Sequence, residues 1–261
     1  MLRFAANISF LFKELPFLDR FAAASEAGFK LVECHWPYDN SIDALRERLE
    51  RSRLSLVMVN TAPGNLDAGD FGLGAMPGRE ADFQAALDQS LHYVSALGAT
   101  RIHCMAGKVP VTATAHRTFV DNLRRGADKA RDKGVTMVIE PLNTRSAPGY
   151  FLTHAQQAVD IIGEVDRPNV KLLFDVFHLQ IMDGDIITRL EKLLPLIGHV
   201  QIAAVPSRAE PDEGEINYPG VFAALDKFGW SGWTACEYRP RARTEDGLGW
   251  GKAYGLKSAS A

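Results

Sequence analysis

Four oxygen-bearing side chains recur where an apolar run stops. VTMVIEPLN carries Glu140, VKLLFDVFH carries Asp175, GHVQIAAVP carries Gln201 and GWTACEYRP carries Glu237. All four runs read as β-strands. Pro141 cannot donate a further ladder hydrogen bond, so Glu140 stands where a buried strand gives way to a loop. A carboxylate is rarely buried without a partner. Three carboxylates gathered at one point cannot all stay ionised without a compensating cation. Three carboxylates and one amide form an all-oxygen donor set, which suits Mg²⁺ or Mn²⁺ better than Zn²⁺. His178, three residues after Asp175, offers an imidazole of the kind that often supports a ligand carboxylate.

The order of elements explains how such residues could meet. Their spacings of 35, 26 and 36 residues are each about one strand-plus-helix unit. Strands are expected at Phe4–Phe10, Lys30–Trp36, Leu54–Asn60, Arg101–Ala106, the Glu140 run, Val170–Phe177, His199–Val205 and Trp233–Tyr238. Helices are expected at Leu15–Ala27, from a Ser41 cap to Ser52, at Arg79–Leu97 and His116–Lys133, and from a Thr153 cap to about Gly163. Three more are expected at Asp185–Ile197, broken near Pro195, at Tyr218–Phe228 and at Thr244–Tyr254. Eight strand-then-helix units without a composition break predict one α/β domain over residues 1–261, a (β/α)8 TIM barrel, with a short flexible tail from about residue 256. An open doubly wound sheet is the alternative, but FAANISF lacks the G-x-G-x-x-G fingerprint after the first strand. Chemistry in a TIM barrel sits at the C-terminal ends of the strands, where the four residues fall.

The long Gly-rich loop Thr61–Glu80 is expected to be either a lid or an irregular insertion. Phe10, Trp36 and Tyr38 are candidates to line the pocket, with plain packing as the alternative, and Met58 and Met105 read as core filler.

Composition narrows the class. The chain is 46% hydrophobic and 23% charged, with a formal net charge of −3, which argues against a nucleic-acid partner. No apolar run approaches the roughly 18 residues of a membrane span. Cys34, Cys104 and Cys236 lie far apart, so reduced thiols and a cytoplasmic location are expected.

With these residues in place, the chain resembles the hydroxypyruvate isomerase family, within the wider xylose isomerase-like group of TIM barrels. The resemblance rests on FAANISFLF, NTAPG, LGAMPGRE, MAGKVP, IEPLNT, FDVFHLQIMDGD, GHVQIAAVPSRAEPDEGEINYP and CEYRPRARTEDGLGW. It runs nearly end to end. The wider group often has His where this chain has Gln201. The resemblance implies a divalent metal on Glu140, Asp175, Gln201 and Glu237, with Glu140 and Glu237 as the acid–base pair.

The implied reaction interconverts hydroxypyruvate and 2-hydroxy-3-oxopropanoate (tartronate semialdehyde), as part of glyoxylate metabolism. A proton must leave one carbon and return to its neighbour through an enediol or enediolate, which suits two carboxyl groups and a polarising cation. Arg208 is the candidate for the substrate carboxylate, because a guanidinium grips such a group in bidentate fashion. Glu210 is expected to orient Arg208 by a salt bridge, and His178 to hydrogen-bond Asp175 or a substrate hydroxyl. Isomerisation of 2-oxo-tetronate, or epimerisation of a related sugar acid or ketose, uses the same chemistry. A metal-dependent endonuclease and a non-catalytic sugar-acid binder are competing classes. The first needs a basic DNA face, and the second has no need of two opposed glutamates. The expected partner is a small oxo-acid substrate, and a homo-oligomer is left open.

Overall fold

The computed structural model describes residues 2–258. Eight parallel strands close into a barrel in chain order. They are β1 (Phe4–Asn7), β2 (Leu31–Cys34), β3 (Ser55–Asn60), β4 (Arg101–His103), β5 (Thr136–Ile139), β6 (Val170–Asp175), β7 (Ile197–Ile202) and β8 (Thr234–Cys236). The ring closes where Ala5 of β1 pairs with Ala235 of β8. Helices surround it: α1 (Arg20–Glu26), α2 (Ile42–Ser52), α3 (Glu80–Leu97), α4 (Ala113–Arg131), α5 (Ala155–Val165), α6 (Val176–Met182), α7 (Ile186–Leu193) and α8 (Tyr218–Lys227). The expected TIM barrel is therefore the observed fold.

Several boundaries moved for local reasons. Ser41 caps α2 as expected, accepting the Ala44 N–H at 3.2 Å. Helix α4 starts three residues before the expected His116, capped by Thr112. His154 takes the cap position expected of Thr153. The run read as a strand to Phe177 stops at Asp175, whose carboxylate accepts the Phe177 N–H at 2.8 Å and starts α6. The expected break near Pro195 is a 3₁₀ turn, Leu194–Leu196, and the last helix, Thr244–Tyr254, is 3₁₀ throughout. Leu256 is buried, and the Lys257 N–H bonds to Ala27 O, so packing continues past residue 255. Residues 259–261 of the expected tail lie outside the described residues.

Most of the core lies between the strands and the helices, where Phe4 on the outer face of β1 meets Phe222, Trp250 and Tyr254. A smaller cluster fills the barrel itself: Ala5, Val57, Met58, Val138, Leu173 and Ala235. Side chains alternate across a strand, so the residues two positions on from Ala5, Val138, Leu173 and Ala235 point inward as well, one layer nearer the mouth. No helix among the described residues is long and apolar enough to cross a membrane.

Candidate active site

That alternation assembles the site. Two residues beyond the apolar filler come Asn7 after Ala5, Glu140 after Val138, Asp175 after Leu173 and Glu237 after Ala235. In β7 the same step leads from His199 to Gln201, in β2 from Leu31 to Glu33, and in β4 from Arg101 to His103. All seven of these polar mouth-side residues are buried. Glu140, Glu237, His178 and Arg208 line one cavity of about 560 Å³, together with His35, His103 and an aromatic wall of Phe10, Trp36 and Phe71.

Each carboxylate meets a different environment. Glu237 Oε1 lies 2.8 Å from His35 Nε2, and its Oε2 is 3.6 Å from the Arg208 guanidinium. Burial disfavours its charge, but the His35 hydrogen bond and the Arg208 charge outweigh this and hold Glu237 below the usual carboxylate range. Glu140 Oε2 lies 3.5 Å from His103 Nδ1. Burial, followed by the charges of Glu237 and Asp175, pushes it well above its ordinary value. Burial and Glu237 also raise Asp175. His103 is driven the other way, to about 3, mainly by burial, so it is neutral. His178 is held neutral too, first by burial and then by the Arg208 charge. Its Nδ1 accepts the Asn143 backbone N–H at 2.8 Å, which leaves the proton on Nε2, 3.6 Å from Asp175 Oδ2.

The residues present fit a divalent cation. Glu140 Oε1, Asp175 Oδ2 and Gln201 Oε1 are buried acceptors without a hydrogen-bond partner, an expensive state for three atoms in one region. One donor atom each from Glu140, Asp175 and His178 lies within 4.8 Å of the others. Three carboxylates against a single guanidinium leave two negative charges to balance, which a divalent ion would do. The set is oxygen-rich, as expected, with His178 standing beside it.

Arg208 reaches the cavity because its loop folds back. The residue itself has a left-handed backbone, φ 58°, and its N–H bonds to Ala204 O at 2.8 Å. Farther along, Gly214 (φ 81°) passes so close to Val205 O that a Cβ would collide with it. The guanidinium is stacked between Phe10 and Phe177, 4.7 and 5.0 Å from their ring centres.

The expected Arg208–Glu210 salt bridge does not form. Glu210 is buried and points towards the loop after β8, where Arg241 holds it through Nε at 3.0 Å and through its backbone N–H. Glu210 is not among the residues that line the cavity. It ties the β7–α8 loop to the chain after β8, and alternate residues of an irregular loop need not face the same way. Tyr38 also stays out of the cavity, bonded to Asn60 O and Ser90, whereas Met105 lines it. In the Thr61–Glu80 loop, Gly74 and Ala75 are bonded to Met105 O and Ala106 O, and Phe71 reaches the cavity.

The sequence reading missed His35, His103 and Glu33. His35 follows β2 and His103 ends β4, so polar residues at the ends of the early strands carried the same signal as Glu140. Arg145 and Arg239 also line the cavity, and no periodicity marks either of them.

A family model describing the xylose isomerase-like TIM barrel matches residues 21–254. The chain belongs to that family. Within it, a 2-oxo-tetronate isomerase of Cupriavidus necator is 48% identical, over 97% of this chain and 99% of the relative. A hydroxypyruvate isomerase of Escherichia coli is 38% identical, over 97% and 100%. A crystal structure of a protein from Brucella melitensis, named AP endonuclease, family 2, superposes with a TM-score of 0.96 at 46% identity, covering 98% of this chain and 100% of that one.

Proposed function

We propose that this protein is an isomerase of small 2-oxo acids, interconverting hydroxypyruvate and 2-hydroxy-3-oxopropanoate. The observation that carries this reading is one cavity lined by two buried glutamates, Glu140 and Glu237, and by an aromatic-clamped arginine, Arg208. Arg208 binds and orients the substrate carboxylate. One glutamate removes a proton from C3 of hydroxypyruvate, giving an enediolate. The other delivers a proton to C2, while the proton on the C3 oxygen passes to the C2 oxygen, leaving an aldehyde at C3 and a hydroxyl at C2. The reverse direction exchanges the two roles. A divalent cation held by Glu140, Asp175, Gln201 and Glu237 would polarise the carbonyl and the adjacent hydroxyl and stabilise the charge that develops between them. His178, neutral with its proton on Nε2, is placed to donate to Asp175 or to a substrate hydroxyl. The apolar wall keeps water from the reacting carbons.

A second substrate is named among the relatives. The Cupriavidus necator protein is named for the four-carbon 2-oxo-tetronate, and a cavity of about 560 Å³ has room for either acid. The Brucella melitensis protein is named as an endonuclease instead. A net charge of −3 and a mouth built on carboxylates support the small-acid reading over a DNA substrate. The deciding experiment is a coupled assay on hydroxypyruvate and on 2-oxo-tetronate, each with EDTA and with added Mg²⁺ or Mn²⁺. Turnover of hydroxypyruvate that needs metal is expected. A clear preference for the four-carbon acid would change the substrate, and turnover of neither would overturn the isomerase reading.

A further inference from the structure

Glu33 of β2 is a fully buried carboxylate to which the reaction above gives no task. It reaches across the inside of the barrel and gathers three donors. Asn7 Nδ2 lies 2.9 Å from Oε1, Gln201 Nε2 lies 2.7 Å from the same oxygen, and His199 Nε2 lies 2.6 Å from Oε2. Asn7 is held in turn, since its Oδ1 accepts the Ser9 N–H at 3.0 Å. The other end of the Gln201 amide, Oε1, is buried and has no partner.

An amide has two chemically opposite ends of nearly the same shape. Its oxygen has lone pairs for a cation, whereas its NH₂ offers only N–H donors. Rotating the Gln201 amide by half a turn would set its oxygen against the Glu33 carboxylate, oxygen to oxygen. It would also put an NH₂ where the unpartnered Gln201 oxygen now stands, on the strand paired with Asp175. A carboxylate at Glu33 therefore permits one orientation and opposes the other.

We infer that Glu33 is a positioning residue that makes Gln201 an oxygen donor to the cation, by fixing the polarity of its amide from across the barrel. This rests on the reading that Gln201 binds the metal. Ligand side chains are commonly aimed by such outer partners, whose loss weakens metal binding by about 10–100-fold.

The test reads Mn²⁺ affinity of the purified protein from the free-ion electron paramagnetic resonance signal, with circular dichroism and thermal unfolding of the metal-free protein as controls. Glu33→Leu removes every acceptor and is expected to weaken Mn²⁺ binding about 10–100-fold. Glu33→Gln keeps an acceptor oxygen for Gln201 and Asn7. Its NH₂ can face His199 once that ring carries its proton on Nδ1, an atom that has no partner. Affinity within about threefold of wild type is expected for it, the rescue that orientation by hydrogen bonding requires. Equal loss in Glu33→Gln and Glu33→Leu would mean that Glu33 acts only by charge and would overturn the inference, as would full affinity in Glu33→Leu.

If Glu33→Leu does not fold, the exchange Glu33→Gln with Gln201→Glu restores a donor–acceptor pair with the polarity reversed. It should bind Mn²⁺ at least tenfold more tightly than Gln201→Glu alone, and equal affinities would overturn the inference. A wild-type protein that binds no Mn²⁺, or a Gln201→Leu variant that binds it normally, would instead remove the metal reading and this inference with it.

Discussion

The two halves of the barrel mouth are built differently. Strands β1–β4 and the turns after them present Asn7, Glu33, His35 and His103. Asn7 and Glu33 hold one another, His35 holds Glu237, and His103 stands beside Glu140. Strands β5–β8 present Glu140, Asp175, Gln201 and Glu237, and three of these four keep a buried oxygen with no partner. The first half is mostly hydrogen-bonded, His103 Nε2 excepted, whereas the second half keeps open oxygens beside the bonds it makes. Buried polar atoms without partners are costly, so a folded chain retains them where a ligand completes them. On the proposed function, the open oxygens of β5–β8 would meet the cation, while β1–β4 supply partners that hold those residues and part of the cavity wall.

The largest effect should come from the two glutamates. Glu140→Gln or Glu237→Gln is expected to lower kcat by about 10²–10⁴-fold with the fold intact by circular dichroism. Near-normal turnover in both variants would break the division between the halves. Arg208→Lys should follow. It keeps the charge but loses the fork and its stacking between Phe10 and Phe177, so kcat/KM should fall by roughly 10–100-fold, mostly through KM. Metal removal is a third probe. With a cation present at about 100 times its Kd, the protein should be about 2.7 kcal/mol more stable than in EDTA, read from urea unfolding. No difference would leave the unpartnered oxygens unexplained.

A pH measurement sharpens the comparison from the supporting half. Folded His103 titrates near 3 and free imidazole near 6.5, so the unfolded chain takes up the extra proton as the pH falls. Stability from keeping His103 neutral is fully present above about pH 6.5 and is lost as the pH falls towards 3. In EDTA, the difference in urea midpoint between wild type and His103→Gln should shift against wild type as the pH falls through that window; His178 acts in the same direction, and Glu140 and Asp175, raised by burial, in the opposite one. The smallest effect on activity is expected from Glu210→Gln. Its partner is Arg241 rather than Arg208, so kcat/KM should stay within about threefold while the β7–α8 loop loses roughly 1–3 kcal/mol of anchoring, seen as a lower unfolding midpoint. A loss of activity as large as that of Arg208→Lys would restore a direct link between Glu210 and the substrate arginine.

How much of this was legible in the chain depended on how local the cause was. Helix starts such as Ser41 were readable because the cap oxygen and the N–H that donates to it are three residues apart. The stop at Asp175 was harder, since VFH suits a strand as well as a helix and only the capping hydrogen bond decides. Glu140, Asp175, Gln201 and Glu237 stood out as oxygen-bearing residues at strand ends. His35 and His103 stood in equivalent places and passed unnoticed, because a lone histidine in an apolar run reads as packing. Arg208 and Glu210 sit in a loop without periodicity, where nothing in the spacing says which way a side chain turns.

By itself the sequence determined the alternation of strands and helices, and with it the barrel, because side-chain periodicity is a property of neighbours along the chain. It also determined that four oxygen donors reach the mouth, since a period of two puts Glu140, Asp175 and Glu237 above the apolar filler and Gln201 above His199. Only the tertiary structure decided which donors are left open and which are held. That choice depends on contacts between distant strands: Glu33 with Gln201, 168 residues apart, and His35 with Glu237, 202 apart. Such pairs exist only once the barrel has closed and its interior is too dry for water to satisfy them instead.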